Sequence, residues 1–281
     1  MERIDVSKLI KRLNEPRGFS DKYWIHYKDD DMLIKYNGYA CPDQDVMECI
    51  SSDILNLLDI NTVNVALGFN TNMELDIEKK CCIVKSFLSC PGDVTINLLN
   101  NKWTRVKTDN IQKNISSCFL KIFTMFSRLM DISDDDFNNM KKDYIRTVFG
   151  DCIIDNEDRR LKNIEAIFNE SDFSYRLAPS FDNGLAFNAF NGINTNDFDG
   201  YCYIGNQEFP ASEIIKYIIE HYYEYISDII YKLDNFINND LDLITSKYVG
   251  EIDSKKLVYI NDYINYTNNF IKSIIKKGYE R

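Results

Sequence analysis

Hydrophobic residues recur at helical spacing in several long stretches of the chain. The first stretch is residues 1–14, whose apolar positions are Ile4, Val6, Leu9, Ile10 and Leu13. The others are residues 42–60, 111–131 and 134–154, and two long segments between 210 and 278. An apolar residue at every third or fourth position forms one stripe along a helix, so this pattern predicts a helix in each stretch.

Shorter apolar runs predict strands between these helices. Residues 22–36 predict a β-hairpin, because two strand-like runs flank the acidic turn KDDD. Residues 62–70 and 80–88 predict two further strands, and residues 163–181 predict two short strands around the polar turn NESD. Most strands therefore precede the segment FLSCPGD, and most helices follow it. The sequence predicts an α+β fold with a strand-rich N-lobe (residues 1–90), a mainly helical C-lobe (residues 91–281) and a cleft between them.

Composition excludes several classes of function. The 281 residues carry a net charge of −11, which argues against direct nucleic-acid binding, because a phosphate-backbone binder needs a basic surface. Eight cysteines without a CxxC pair and only two histidines make a zinc site a poor interpretation. The N-terminus has no signal-peptide pattern and no apolar run is long enough to span a membrane, so we expect a cytoplasmic protein that does not bind membranes.

The charged stretch DNEDRRLKNIEAI (residues 155–167) lies between segments that look buried. Asp158 and Asn163 within it have the spacing D-x-x-x-x-N. Phosphoryl transfer uses such a pairing, because a carboxylate orients the attacking hydroxyl and an amide oxygen helps to hold Mg²⁺ beside the triphosphate. Arg160 stands where a cation can steady the transferred group. Asp182 follows after the predicted hairpin and precedes a flexible Asn-Gly turn, which suits a second metal ligand.

The N-terminal part supplies candidates for holding a nucleotide. Lys35 lies on the second strand of the hairpin and Glu48 lies on the following helix, the order of the lysine–glutamate clamp for phosphates. Asp45 and Asp53 are rivals of Glu48 on the same helix, and we prefer Glu48 for its place beside the apolar stripe. The segment RGFSDK (residues 17–22) precedes the first strand and is a candidate phosphate loop, although it has only one glycine.

Together, GDCIIDNEDRRLKNIEAI and the later LAPSFDNG resemble the core of the HipA-like serine/threonine kinases, in the compact form without the extra N-terminal subdomain. The resemblance covers roughly residues 17–235. It implies a two-lobed protein-kinase-like fold that binds ATP and Mg²⁺ and phosphorylates a protein substrate on Ser or Thr. Carried over by position, it makes Asp158 the catalytic residue and Asn163 and Asp182 the Mg²⁺ ligands.

The same resemblance assigns the nucleotide contacts. Lys35 would contact the phosphates with Glu48 orienting it, and the loop residues Gly18 and Ser20 would cover them. The hinge that meets adenine through backbone groups would be Ser86, Phe87 and Leu88. One position departs from the family pattern, because Arg160 stands where the family has a histidine. Arginine cannot shuttle a proton, but its permanent charge can still contact phosphate.

Three alternatives stay open at this point. The acceptor can be a small molecule or a lipid headgroup instead of a protein, with the same nucleotide chemistry. The chain can also be a pseudokinase that binds nucleotide and serves as an interaction module. Ser20 is either an autophosphorylation site, as the family implies, or a serine that only shapes a turn. The sequence does not predict an oligomeric state.

Overall fold

A computed structural model of the chain describes residues 2–7, 9, 21–27, 29–38, 41–72, 77–88, 90–98, 103–187 and 200–279. Gly18 and Ser20, the candidate phosphate-loop residues, lie outside these ranges. Within them, a strand-rich sheet precedes a mainly helical part, which confirms the predicted α+β architecture.

Five strands form the sheet of the N-terminal part. They are β1 (Ile4–Asp5), β2 (Lys22–Tyr27), β3 (Asp30–Tyr36), β4 (Val65–Asn72) and β5 (Ile77–Lys85), in the spatial order β1-β4-β5-β3-β2. Neighbouring strands are antiparallel except for β1 and β4. Because side chains alternate along a strand, the two faces of the sheet differ. Ile34 joins an apolar cluster on the outer face, whereas its neighbour Lys35 points toward the helix that follows.

The helix predicted for residues 1–14 does not form at Ile4 and Asp5, which make strand β1 instead. Their backbone groups pair with β4, and the amide of Val6 donates to the carbonyl of Phe69 at 2.9 Å. A helix of this length that packs on nothing is only marginally stable in water. The free edge of β4 instead offers hydrogen-bond partners for the backbone groups of Ile4 and Asp5. The later apolar positions, Ile10 and Leu13, lie outside the described residues.

Helix α1 (Gln44–Leu57) packs on the inner face of the sheet. Two hydrogen bonds also join it to the C-terminal region. The Tyr248 hydroxyl donates to Asp53 Oδ2 at 3.0 Å, and Lys256 Nζ donates to Asp43 Oδ2 at 3.0 Å. We call these two contacts the C-terminal brace. They tie both ends of α1 to residues that lie about two hundred positions later in the chain.

Arg3 adds a further link behind α1. Its guanidinium donates to Asp45 Oδ2 at 2.6 Å, to the carbonyl of Gly68 at 3.0 Å and to Glu251 Oε2 at 2.8 Å. One side chain therefore joins the sheet, α1 and the C-terminal region, and a planar guanidinium with five donors is suited to such a junction.

The C-terminal part consists mainly of helices: α2 (Ile111–Phe126), α3 (Asp134–Ile153), α4 (Ala211–Asn239), α5 (Leu241–Ser246) and α6 (Ser254–Tyr279). Helix α3 starts at the N-cap Ser133, whose hydroxyl accepts the amide of Asp136 at 3.1 Å. In the second half of α3, Tyr144, Val148 and Phe149 are fully buried. Because α3 runs through the core, its C-terminal end is fixed, and so is the position at which the charged stretch begins.

Two small sheets complete the fold. Strands β6 (Asp93–Asn97), β7 (Glu165–Asn169) and β8 (Ser174–Leu177) form one, and β9 (Tyr201–Ile204) and β10 (Gln207–Pro210) form the other. The β7–β8 hairpin is as predicted. The sequence pattern does not predict β6, β9 or β10, because four or five residues are too few to establish an alternation. No helix of the described part of the chain is long and apolar enough to cross a membrane.

Strand β6 is anchored by a buried carboxylate, and this gives a prediction on pH. Arg176 donates to both oxygens of Asp93 at 3.0 and 2.5 Å, and this hydrogen bonding lowers the pKa of Asp93 to about 2. A pKa lowered by folding stabilises the protein above the unfolded-state value and loses that effect as the pH falls. We expect Asp93→Asn to lower the melting temperature at pH 7 and to differ progressively less from wild type between about pH 4 and pH 2.

Thermal unfolding monitored at a series of pH values measures this effect. Asp262→Asn, at an exposed position of α6, is the matched control and is expected to follow wild type throughout. A melting-temperature difference for Asp93→Asn that stays constant down to pH 2 would contradict the assignment.

Candidate active site

Lys35 is the centre of a buried ion-pair cluster between the sheet and α1. Its Nζ donates to Glu48 Oε2 at 2.8 Å and to Asp182 Oδ1 at 2.6 Å. Burial by itself lowers the pKa of Lys35, but the carboxylates of Asp182 and Glu48 more than offset this, and the pKa lies well above its ordinary value. The lysine is therefore charged, as a residue that contacts phosphate must be.

Glu48 connects Lys35 to the turn that carries Asp182. The side chain is fully buried, and its second oxygen, Oε1, accepts the backbone amide of Asn183 at 2.8 Å. The rival acids of α1 have other partners, since Asp45 accepts from Arg3 and Asp53 accepts from the Tyr248 hydroxyl. Of the three candidates on this helix, the structure therefore places only Glu48 against Lys35.

Asp182 lies in a turn whose backbone is tightly constrained. Its φ of 60° is in the left-handed region, and its side chain remains 30% exposed. Lys35 lowers the pKa of Asp182 to about 2, so the carboxylate is ionised at neutral pH. Gly184 completes the turn, and a Cβ there would lie 2.5 Å from Gln44 Cγ and 3.0 Å from Glu48 Oε2. The Asn-Gly turn therefore approaches α1 too closely for any larger residue.

Asp158 and Asn163 lie side by side in the loop after α3. Asn163 Nδ2 donates to the backbone carbonyl of Asp158 at 2.7 Å and to Asp158 Oδ2 at 3.2 Å. Lys162 Nζ donates to the same carboxylate oxygen at 2.7 Å. The five-residue spacing predicted as functional thus closes a compact loop, which ends in the 3₁₀ turn Leu161–Asn163.

Arg160 is held on the outer side of this loop. Its guanidinium lies over the ring of Tyr203 in β9, 4.5 Å from the ring centroid, and donates to the Tyr203 hydroxyl at 2.9 Å. Its Nε is 3.7 Å from Asp158 Oδ1, and the side chain is half exposed. The β9–β10 hairpin thereby fixes where this cation stands relative to Asp158.

Arg159 is a positioning residue that the sequence analysis missed. It is only 1% exposed, and its guanidinium pairs with the fully buried Asp151 in the last turn of α3, with Nε 2.9 Å from Oδ2. The guanidinium also donates to the carbonyl of Asn163 at 3.2 Å and to that of Phe181 at 2.6 Å. One side chain therefore holds together the two segments that carry Asp158 and Asp182.

A signal for this residue was present in the sequence. The charged stretch follows a buried helix that ends in GDCII, so Asp151 would be buried without a partner unless a nearby cation turned inward. Arg159 is eight positions away and is that cation.

The predicted hinge follows strand β5. The amide of Ser86 donates to the carbonyl of Asp31 at 2.8 Å, and the amide of Leu88 donates to the Ser86 hydroxyl at 3.2 Å. Phe87 stacks on Phe181 with ring centroids 5.6 Å apart. The segment is thus fixed by one hydrogen bond to β3 and one within itself, and its contact with adenine stays a prediction.

The donor set in the cleft suits Mg²⁺. Asp182 Oδ2 and Asn163 Oδ1 accept no hydrogen bond from the described residues, since Lys35 and Asp158 engage the other polar atom of each side chain. These are hard oxygen donors, and Mg²⁺ is commonly bound by one or two such side chains together with substrate phosphates. Accordingly, no group of three or more His, Cys, Asp or Glu residues among those described is placed to hold a metal by itself.

The buried position of Arg159 predicts a large difference from its neighbour. Arg159→Met leaves Asp151 as an uncompensated buried charge, so we expect the free energy of unfolding to fall by about 3–5 kcal/mol. Arg160→Met removes a half-exposed cation and is expected to cost less than about 1 kcal/mol. Urea unfolding of both variants makes the comparison, and adding Asp151→Asn to Arg159→Met is expected to recover part of the loss. Equal effects of the two single variants would rule out the central role of Arg159.

Comparison with known proteins bears on the fold. No family model matches the sequence, and no curated protein matches it by sequence. Among solved structures, the chain is similar to the Helicobacter pylori proinflammatory kinase CtkA, with a TM-score of 0.72, 14% identity and 99% of each chain covered. It also aligns with Shewanella oneidensis HipA, solved with HipB and operator DNA, at a TM-score of 0.49 and 12% identity, over 92% of this chain and 66% of that chain. The similarity to CtkA confirms the predicted two-lobed kinase-like fold.

Proposed function

We propose that this chain is a Mg²⁺-dependent protein kinase that transfers the terminal phosphoryl group of ATP to a Ser or Thr hydroxyl. The observation that carries the proposal is the convergence of two networks on the Asp182–Asn183 turn. Lys35 and Glu48 reach the turn from the N-terminal sheet and α1, and the loop of Asp158 reaches it through Arg159. The fold shared with the kinase CtkA supports the same chemistry.

The nucleotide would lie between the sheet and the loop after α3. Lys35 would contact its phosphates, with Glu48 holding the ammonium in place, and the backbone of residues 86–88 would meet the adenine. Asn163 and Asp182 would hold Mg²⁺ through the two oxygens that accept no hydrogen bond from the described residues. When bound, the metal neutralises charge on the phosphates, which is its general contribution to phosphoryl transfer.

Asp158 would orient the acceptor hydroxyl. Its carboxylate is only 13% exposed and is fixed by Lys162 and Asn163, so its position is set before the substrate arrives. In the transfer, the acceptor oxygen bonds to the terminal phosphorus while the bond from that phosphorus to the oxygen of the departing ADP breaks. The hydroxyl proton goes to Asp158. Arg160 would offset the negative charge on the phosphoryl oxygens from the outer side of the loop.

A protein acceptor is the finer part of the proposal. It is supported by the resemblance of the motifs at residues 150–184 to serine/threonine kinases and by the open outer side of the loop, where half of Arg160 and half of Lys162 are exposed. A protein substrate can approach there, beside the β9–β10 hairpin.

Incubation of the purified protein with γ-labelled ATP and Mg²⁺ tests the proposal. We expect label in the protein itself or in bands of a cell extract, and a loss of at least about a hundredfold in Asp158→Ala and Asp182→Asn, because each removes a group that acts in the transition state. The exposed Asp262→Asn is the control and is expected to label like wild type.

The other results of this experiment would each support one of the alternatives or overturn the proposal. Label that appears only in a small acid-soluble product would replace the protein acceptor with a small molecule. Nucleotide-induced thermal stabilisation of wild type without any label would favour a pseudokinase. Wild type that is not stabilised by Mg-ATP and transfers no label would overturn the whole proposal.

A further inference from the structure

Large apolar side chains are exposed at the end of the β7–β8 hairpin that carries its turn. Phe173, in this turn, is 74% exposed, and Met130, in the turn between α2 and α3, is 78% exposed. The ring of Phe173 contacts that of Phe168 with centroids 6.2 Å apart, and Phe168 contacts Tyr175 at 4.8 Å. The Tyr175 hydroxyl donates to the carbonyl of Met130 at 2.9 Å. Val94 of β6 stands directly opposite Phe168 and is also exposed. We call Val94, Met130, Phe168 and Phe173 the hairpin patch.

Phe173 is held in a backbone conformation that disfavours an aromatic residue. Its φ of 59° lies in the left-handed region, where the Cβ atom is crowded. Phe187 has a similar φ of 52°, but it is buried, so packing compensates for the strain. The turn of Phe173 is fixed without its side chain, since Asn169 Oδ1 accepts the amides of Ser171 and Asp172 at 2.8 and 3.3 Å. A glycine would therefore suit this turn better, and strain that packing does not explain points to a function.

Acidic residues border the hairpin patch on both sides. Asp131 follows Met130 directly, and Glu170 and Asp172 lie in the turn that carries Phe173. All three carboxylates are exposed, and none of them forms an ion pair with another described residue. The apolar surface therefore lies in a region of negative potential.

The start of α3 adds further negative charge. A carboxylate in its first turn (residues 134–136) accepts the amide of Tyr175 at 3.1 Å, which places this acidic turn against β8. Arg176 of β8 does not offset the excess, because it is bound by both oxygens of Asp93. Arg128, between α2 and α3, is exposed and balances only one of these charges. Acidic groups thus outnumber basic ones around the patch.

Charge and apolar surface together select the kind of partner. A second copy of the chain would bring the same acidic border and a net charge of −11, so the two surfaces would repel each other. An anionic membrane is disfavoured for the same reason. A protein segment with apolar residues next to Lys or Arg matches both properties of the surface.

We propose that the hairpin patch is a docking site for a segment of a partner protein in which apolar residues adjoin Lys or Arg. The apolar side chains pack on Phe173 and Met130, residue types that serve as anchors at interfaces. The basic groups face Asp131 and Asp172. The five residues of β7 separate the patch from the loop of the candidate active site by roughly 17 Å, so a docked segment leaves the cleft open. The inference does not depend on the proposed function, because docking requires no nucleotide.

A library of random peptides displayed on phage, panned in parallel on wild type and Phe173→Gly, tests the proposal. We expect wild type alone to enrich peptides that combine apolar residues with Lys or Arg. Enrichment of the same peptides by both proteins would overturn the proposal, and so would the absence of enrichment on wild type. Peptides that bind only wild type but lack basic residues would refute the role of the acidic border.

Fluorescence anisotropy of an enriched peptide, synthesised with a fluorescent label, gives the size of each contribution. We expect Phe173→Gly to weaken its binding at least about tenfold, as loss of an anchor residue does. The double variant Asp131→Asn/Asp172→Asn is expected to weaken binding at low salt and to approach wild type as salt rises. Tyr231→Ala removes a similarly exposed aromatic side chain from α4 and is the control, with wild-type affinity expected.

Thermal unfolding of Phe173→Gly separates docking from a structural role. Glycine adopts the left-handed conformation without strain, so the melting temperature is expected not to fall. A clear decrease would mean that Phe173 is retained for its packing on Phe168, and the argument from strain would fail. None of these measurements uses nucleotide, so their failure leaves the proposed function unaffected.

Discussion

The buried ion pair between Arg159 and Asp151 is the constraint on which the candidate site depends. Two charges removed from water are tolerated only when nearly every donor and acceptor is satisfied, and Arg159 meets this demand by bonding to three separate segments. The pair therefore restricts the conformation of the loop after α3, because another conformation would leave the charge of Asp151 unpaired in the core. A lysine, with a compact ammonium, could not reach the same partners at once.

A second network reaches the same point from the other lobe. Lys35 and Glu48 are fixed against each other, and Glu48 accepts the amide of Asn183. Asn183 is fully buried, and its side-chain oxygen in turn accepts a hydrogen bond from Arg159. The two networks thus meet in one residue, which joins the sheet, α1 and the loop of Asp158. The charges of the candidate site are positioned relative to one another by this chain of contacts, and cofactor binding does not have to create it.

Sequence reasoning identifies those candidate residues that belong to a spacing or an order along the chain. Asp158 and Asn163 stand in a fixed spacing, and Lys35 stands on a recognisable strand. The structure places Asp158 and Asn163 side by side and Lys35 against Glu48 and Asp182, while their roles stay predictions. The same reasoning missed Arg159, since the buried Asp151 indicates that one cation turns inward but the charged run does not show which one. Nor could it rank Glu48 above Asp53 firmly, because the partner of Asp53 is 195 positions away. The short strands and the strand at Ile4 depend on edges that only the assembled sheet provides.

The C-terminal brace has a mechanical consequence. Since Tyr248 and Lys256 tie α1 to the C-terminal region, α1 is not free to travel with the sheet. If the lobes part while the brace holds, the sheet separates from α1 and the pair of Lys35 and Glu48 must break. If that pair holds instead, the brace must break. Opening of the cleft is therefore coupled to the loss of either the buried pair of Lys35 and Glu48 or the contacts of the brace.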